Sequence, residues 1–271
     1  MKEEQADYGN WVSVRLIVKT LLAGMLFAAL ALIAAVAGPS PWLAGATVLC
    51  AAAALLSLAG CAYFLHARRL FSPAGGNVQE RIVELLLSYV QWDGAGRALD
   101  IGCGGAALTV ALAKKFPQAR VTGVDYWGKS WDYGQQQCRR NAVLEGVGDR
   151  TDFLQASASR LPFPDHSFGL VVSNLTFHEV RDSQDKRQVL AEALRVVQPG
   201  GVFVFQDLFL LHRYYGTAEE LVEAVWNRGA AEARLVDTSR APFIPPALRL
   251  PFMVGTMAIL YGVKQQHRSL F

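Results

Sequence analysis

The chain reads as an α/β protein: a doubly wound, seven-stranded sheet with an antiparallel edge strand, preceded by two transmembrane helices. Three observations predict this. Strand and helix signals alternate from Val78 to Lys264, the pattern of a mostly parallel sheet with helices on both faces. The last two strand signals have no helix between them, which suits an antiparallel edge better than another crossover. From Thr20 to Leu65 there is no Asp, Glu, Lys, Arg or His, and buried helices of soluble proteins rarely lack every charge over such a length.

Gly38-Pro39-Ser40-Pro41 interrupts that uncharged run. It leaves spans at about 16–37 and 42–65, each of roughly the 20 residues that cross a bilayer as a helix. A cleaved signal peptide fits poorly, because the first apolar core is too long and a second follows at once. Lys2, Arg15 and Lys19 precede the first span, Arg68 and Arg69 follow the second, and the tip between them carries no basic residue. This bias predicts an integral membrane protein with both termini and the globular domain in the cytoplasm. Trp11 and Trp42 sit near the expected interfaces. Residues 1–69 thus form a tail and hairpin, residues 70–77 a linker containing Pro73-Ala-Gly-Gly76, and residues 78–271 the globular domain.

Within that domain Val78 to Val90 has helical periodicity, with Ile82, Leu85, Leu86 and Tyr89 on one face. Arg97 to Ile101 reads as the first strand and Leu108 to Phe116 as the next helix. Val121 to Val124 is a second strand, Gln135 to Glu145 a helix and Thr151 to Gln155 a short strand. Gly169 to Ser173, Lys186 to Val197 and Gly201 to Asp207 continue as strand, helix and strand. Ala218 to Asn227 is a further helix, and Ala233 to Asp237 and Thr256 to Lys264 are the last strands.

A net charge of +3 is too small to imply nucleic-acid binding, and no basic cluster with interleaved aromatics points there. Cys50, Cys61, Cys103 and Cys138 show no Cys-x-x-Cys pair and no His/Cys ligand spacing, so neither a disulfide framework nor a metal site is expected.

The most informative run is Ala98-Leu-Asp-Ile-Gly-Cys-Gly-Gly-Ala106. An apolar strand ends in an acid, Asp100, and Gly102, Gly104 and Gly105 turn the backbone into a helix. Glycine allows close approach of a ligand and dihedrals closed to other residues. Val121-Thr-Gly-Val-Asp125 brings a second acid to the end of the next strand, where an open α/β sheet holds a ribose diol. A carboxylate beside the turn would repel a pyrophosphate but suits a cationic or hydroxyl-bearing ligand. Two acids around a glycine turn with no Lys in it point to an adenosine ligand without phosphates. The turn alone also fits a relaxed dinucleotide fingerprint, so a nicotinamide-dependent oxidoreductase is the alternative enzyme reading. A non-catalytic membrane protein that only binds the cofactor is the alternative outside enzymes.

Together with Leu161-Pro-Phe-Pro-Asp-His-Ser-Phe-Gly-Leu-Val-Val-Ser-Asn174, His178-Glu179 and Leu194-Arg-Val-Val-Gln-Pro-Gly-Gly201, these segments resemble the class I S-adenosylmethionine-dependent methyltransferases. The resemblance covers about residues 78 to 264 and is greatest to the branch acting on quinones, sterols and other small lipophilic molecules. It implies a Rossmann-like sheet and S-adenosyl-L-methionine as cofactor; substrate rarely follows from that branch. It also implies roles: Gly102 and Gly104 beneath the amino-acid part of the cofactor, Asp100 near its ammonium group, Asp125 on both ribose hydroxyls. Tyr126 would pack on the adenine, and Asn174 would lie by the methionine moiety. Three positions depart from the family pattern. Ala106 replaces the third glycine, Ser157 stands where an Asp usually meets the adenine amino group, and Gly169 replaces an Asp at the start of the fourth strand.

Tyr126, Trp127 and Trp131 form an aromatic cluster of which Tyr126 is the cofactor candidate. His178 and Glu179 are the adjacent ionisable pair at the expected mouth of the cleft, and Asp207 ends the fifth strand facing the same crevice; these three are the catalytic candidates. Asp100 and Asp207 have the competing role of helix caps. Pro242 to Phe252 has too many prolines to span a bilayer as a helix, and reads as a packed loop or as a flap lying on the bilayer. The expected partners are therefore the lipid bilayer and a lipophilic small-molecule acceptor.

Overall fold

A computed structural model describes residues 4–128 and 134–266. Asn10–Gln79 forms one compact unit, and Met1–Gly9 with Glu80–Phe271 forms the other.

The first unit is a helical hairpin, α1 (Val14–Val36) and α2 (Pro41–Phe71). Both helices are longer than the expected spans, and α2 runs through Phe71, so the linker shortens to the turn after it. Ser13 caps α1 by accepting from the Leu16 amide, and Pro41 starts α2, where its missing N–H is no loss. Gly24 lets the helices close: a Cβ there would lie 2.8 Å from Leu58 Cδ2. Apolar side chains elsewhere on the pair, among them Leu22, Leu26, Ile33, Leu55 and Leu56, are exposed. Both helices are long and apolar enough to cross a membrane.

The second unit is a seven-stranded sheet in the order β3-β2-β1-β4-β5-β7-β6. Its strands are β1 (Gly96–Ile101), β2 (Ala119–Asp125), β3 (Thr151–Gln155), β4 (Phe168–Asn174), β5 (Val197–Asp207), β6 (Ala230–Asp237) and β7 (Ala258–Lys264). β1 to β5 pair in parallel, while β7 runs antiparallel to both β5 and β6. The antiparallel pairing expected at this margin of the sheet is thus made by β7.

Side chains alternate between two buried layers. Leu99, Ile101, Phe168, Val171, Phe203 and Phe205 face one, where α6 (Lys186–Arg195), α7 (His212–Tyr215) and α8 (Ala218–Trp226) pack. Ala98, Val121, Leu170, Val172 and Val204 face the other, covered by α3 (Val78–Ser88), α4 (Ala107–Lys115) and α5 (Gln135–Leu144). A period of two with both faces apolar is what a sheet buried on both sides requires. The strand order reverses between β1 and β4, and the crevice outside the carboxyl ends of such a pair is where open α/β sheets bind ligands.

Candidate active site

The site is built at that reversal. β1 ends at Ile101, and the amides of Gly102 and Cys103 both donate to Val124 O, at 2.7 and 3.0 Å, which ties the turn to β2. Gly102 has φ +75°, and a Cβ there would lie 1.9 Å from Thr176 Oγ1, so the position admits only glycine. Gly104 follows with φ +55°. Its amide donates to Asp125 Oδ2 at 2.9 Å, and its carbonyl accepts from Trp127 Nε1 and Cys138 Sγ, each at 3.0 Å. Ala106, at the family's third glycine, is fully buried with φ +73°. Trp127 and Leu175 also have positive φ, at 45° and 53°. Side-chain-bearing residues in this region store backbone strain, and here they ring the crevice.

The two acids sit in different settings. Asp100 is buried; its Oδ2 accepts from Thr109 Oγ1 at 2.7 Å, and the Thr109 amide in the first turn of α4 also interacts with the carboxylate, so Asp100 braces the start of that helix. Burial pushes its pKa up to about 7, opposed by the Thr109 hydrogen bond and reinforced by the charge of Asp125. Asp125 accepts from the amides of Trp127 (2.7 Å) and Gly104 (2.9 Å). Burial raises its pKa too, with these amides opposing. Asn174 ends β4. Among the described residues, neither Asp100 Oδ1 nor Asn174 Oδ1 accepts a hydrogen bond, although both are buried. Buried acceptors are normally satisfied, so these two are open to a donor from a ligand.

Ser157 lies just past β3, beside Asp125, whose carbonyl accepts from the Ala156 amide at 3.0 Å. Its hydroxyl donates to Asp182 Oδ2 at 2.7 Å, and Ser159 donates to the same oxygen at 2.8 Å. A carboxylate is therefore present behind Ser157, supplied by the loop after β4. Tyr126 is 68 % exposed at the lip of the crevice. Trp131 lies outside the described residues. Gly169 is confined: a Cβ there would meet Trp92 Nε1 at 3.1 Å and Gln198 Nε2 at 3.2 Å.

At the carboxyl ends of β4 and β5 a second group forms. His178, on a single 3-10 turn (Phe177–Glu179), places Nδ1 2.9 Å from Asp207 Oδ1, while its Nε2 lies 3.9 Å from Glu179 Oε1. Asp207 is fully buried and also accepts from the amides of Phe177 and Leu208 and from the Tyr215 hydroxyl. The burial that should raise its pKa is overcome by the His178 charge and these donors, so it stays ionised. His178 responds in kind: burial alone would lower its pKa, but Asp207 and Glu179 lift it above the ordinary value against Lys186. The structure thus joins His178 to Asp207, 29 positions apart, more closely than to its neighbour Glu179.

Sequence reasoning does not single out Thr109, Asp182 or Tyr215, and it names Trp127 only as a member of the aromatic cluster. Asp182 reaches Ser157 from 25 positions away, Thr109 and Tyr215 lie 9 and 8 positions from the acids they bond, and none of these pairings belongs to a short motif.

The methyltransferase-domain sequence profile matches residues 99–205. The ubiquinone/menaquinone biosynthesis C-methyltransferase UbiE of Desulfotalea psychrophila is 31 % identical, with 63 % of this chain and 74 % of the relative covered. A fatty-acid O-methyltransferase of Mycolicibacterium smegmatis is 33 % identical, with 51 % of this chain and 43 % of the relative covered. The chain spans about half the length of the first curated relatives it matches. A geranyl diphosphate methyltransferase crystallised with S-adenosylmethionine superposes with a TM-score of 0.55 at 15 % identity, over 74 % of this chain and 90 % of that one, and shares the fold. The chain belongs to the S-adenosylmethionine-dependent methyltransferases. Its residues fit that cofactor: two unsatisfied buried acceptors stand at a glycine cradle with no room for a Cβ.

Proposed function

We propose that this protein transfers a methyl group from S-adenosylmethionine to a lipophilic small molecule or lipid drawn from the bilayer, from the cytoplasmic side. The observation that carries the reaction type is the pair of unsatisfied acceptors, Asp100 Oδ1 and Asn174 Oδ1, at the glycine turn. Asp100 takes the ammonium group, Asn174 lies by the methionine moiety, and Gly102 and Gly104 pass beneath. Asp125, already fixed by two amides, retains lone pairs for both ribose hydroxyls. Tyr126 packs on the adenine. Ser157 gives its proton to Asp182 and accepts from the Ser159 amide, which leaves one lone pair for the adenine amino group. The nicotinamide alternative falls on family membership and on Asp100, which would face a pyrophosphate.

When bound, the cofactor supplies an electrophilic methyl group on a sulfonium whose charge disappears on transfer. The protein's task is to align the acceptor in a dry site and to remove its proton. Asp207 fixes the His178 ring with Nδ1–H directed at the carboxylate, which leaves Nε2 as the basic atom. Proton uptake at Nε2 is stabilised by the buried charge behind it, and Glu179 adds a second negative charge at the mouth.

The membrane reading is supported by the hairpin's exposed apolar surface and by the tail before it. Glu4 pairs with Arg140, and the Asp7 amide and carbonyl bond to Asn141 at 3.0 and 2.7 Å, within the same unit as the sheet. A chain that leaves this unit and returns to it crosses a bilayer an even number of times, as a two-span hairpin does. The quinone and fatty-acid substrates named for the two relatives support a lipophilic acceptor.

The test is to incubate membranes containing the full chain with methyl-labelled cofactor. Label should enter an organic-extractable product, and His178→Ala should lower the rate by on the order of a hundredfold or more. Cofactor binding with no labelled product from any lipid extract would favour the non-catalytic reading. Label confined to a water-soluble product would overturn the lipophilic acceptor.

A further inference from the structure

The Asp207 carboxylate receives its donors unevenly. Oδ2 accepts the Phe177 amide at 2.8 Å. Oδ1 accepts three donors: the Leu208 amide at 2.7 Å, His178 Nδ1 at 2.9 Å and the Tyr215 hydroxyl at 3.1 Å. A carboxylate oxygen offers two lone-pair sites, so three donors at one oxygen compete. The Leu208 amide is set by the backbone. The competition is therefore between His178 and Tyr215.

We propose that Tyr215 is a positioning residue of the dyad: by holding part of Asp207 Oδ1, its hydroxyl sets how tightly His178 keeps a proton. This rests on His178 acting as the base. Tyr215 suits the task because it is fully buried and its ring packs edge-to-face on Phe209 with centroids 4.9 Å apart, which fixes the hydroxyl. Burial and the Asp207 charge push its own pKa far up, so it remains a donor over the working pH range.

The groups facing His178 come from four elements. Asp207 comes from β5, Glu179 from the same 3-10 turn and Lys186 from α6, while Tyr215 reaches it from α7 through Asp207. Lys186 is itself held by the carbonyls of Val180 and Ser183. Of the four, Tyr215 alone acts without charge, by hydrogen bonding. Without its hydroxyl, Asp207 would have one donor fewer and would pull harder on the His178 proton. The base would then stay protonated to higher pH.

The test is a histidine titration by NMR on the labelled full chain in detergent micelles, which needs no acceptor. The chain has 5 histidines, and the His178 signal is assigned by its loss in His178→Gln. Tyr215→Phe keeps the ring and should move the His178 midpoint up by about half to one pH unit, as loss of one donor to a buried charge implies. Glu179→Gln should move it down, since it removes a negative charge. An unmoved or lowered midpoint in Tyr215→Phe overturns the proposal. If that variant does not fold, 3-fluorotyrosine at position 215 replaces it. This stronger donor must lower the midpoint, and an unmoved one is equally fatal. Turnover of His178→Gln separately decides whether His178 is the base, so the two failures are distinguishable.

Discussion

At the scale of single residues, Asp100 makes the sharpest prediction. A carboxyl held at about pH 7 by burial is half protonated there in the free protein, and only the ionised form attracts an ammonium group. The proton and the cofactor therefore compete. S-adenosylhomocysteine, which carries the same ammonium group, should bind about tenfold more weakly at pH 6 than at pH 8 by calorimetry. Asp100→Asn should flatten that dependence and weaken binding at pH 8; a flat profile in the unaltered protein would remove Asp100 from the ammonium subsite. Ala106 makes a second prediction. Its φ of +73° suits glycine, so Ala106→Gly should stabilise the free protein by about 0.5 to 1 kcal/mol in urea unfolding; an unchanged or lowered stability would show that the alanine stores no net strain there. Both acids and the glycine turn were legible in the sequence, because strand ends and turns have local signatures. The His178–Asp207 bond was not: both residues are expected at one crevice, but no local signal carries the register that brings His178 Nδ1 onto Asp207 rather than toward Glu179.

Among the elements, the same distinction explains where the sequence reading stops. β3 has the expected limits because Thr151 and Phe153 alternate with Asp152 and Leu154 and turns flank them. β5 starts at Val197, earlier than expected, because Pro199-Gly200-Gly201 looks like a break but is carried within a bulged pairing with β4. α7 is 4 residues long and leaves no periodic signal, yet it delivers Tyr215. Nothing in the sequence of the tail before the hairpin signals a docking site, but Asn141 on α5 latches it. Besides the two Asp7 bonds, Asn141 Nδ2 donates to Gly105 O at 2.9 Å, and a Cβ on Gly105 would lie 2.5 Å from Tyr8 O. The tail thus runs directly against the cofactor turn. Replacing Asn141 by Ala should cost about 1 to 3 kcal/mol, as loss of buried hydrogen bonds does. Hydrogen exchange should then show the Asp7 amide losing its protection. Unchanged protection there would mean that the tail is held by the Glu4–Arg140 pair and the Tyr8–Glu145 bond instead.

For the whole molecule, the proposed function requires a lipophilic acceptor to reach His178, and the β6–β7 connection is the route we propose. β7 begins at Ala258, which pairs with both Asp207 and Asp237, so the connection from Thr238 to Met257 lies at the same end of the sheet as the dyad. The Leu210 amide, just past Asp207, donates to Thr256 O at 3.1 Å and ties the connection to that end. Within it, Ile244, Leu248 and Val254 are buried and act as its core, as the packed-loop reading of this stretch expects; Phe243 lies half-buried beneath the Arg81 guanidinium. Leu250 and Phe252 are different, at 38 % and 64 % exposed. Exposed apolar side chains on this connection, in a protein whose proposed anchor is a spanning hairpin, are suited to meeting a membrane-dissolved molecule. Changing both to Ser should leave unfolding within about 0.5 kcal/mol of the parent, as surface substitutions do. It should also leave S-adenosylhomocysteine binding unchanged. Methyl transfer into lipid-extractable product from reconstituted bilayers should nevertheless fall several-fold, and the loss should shrink when the acceptor is presented in detergent. Ile244→Ser should instead lower stability, giving a different failure that the same assays separate. Full transfer by the Leu250/Phe252 double variant in bilayers would place acceptor entry elsewhere on the domain.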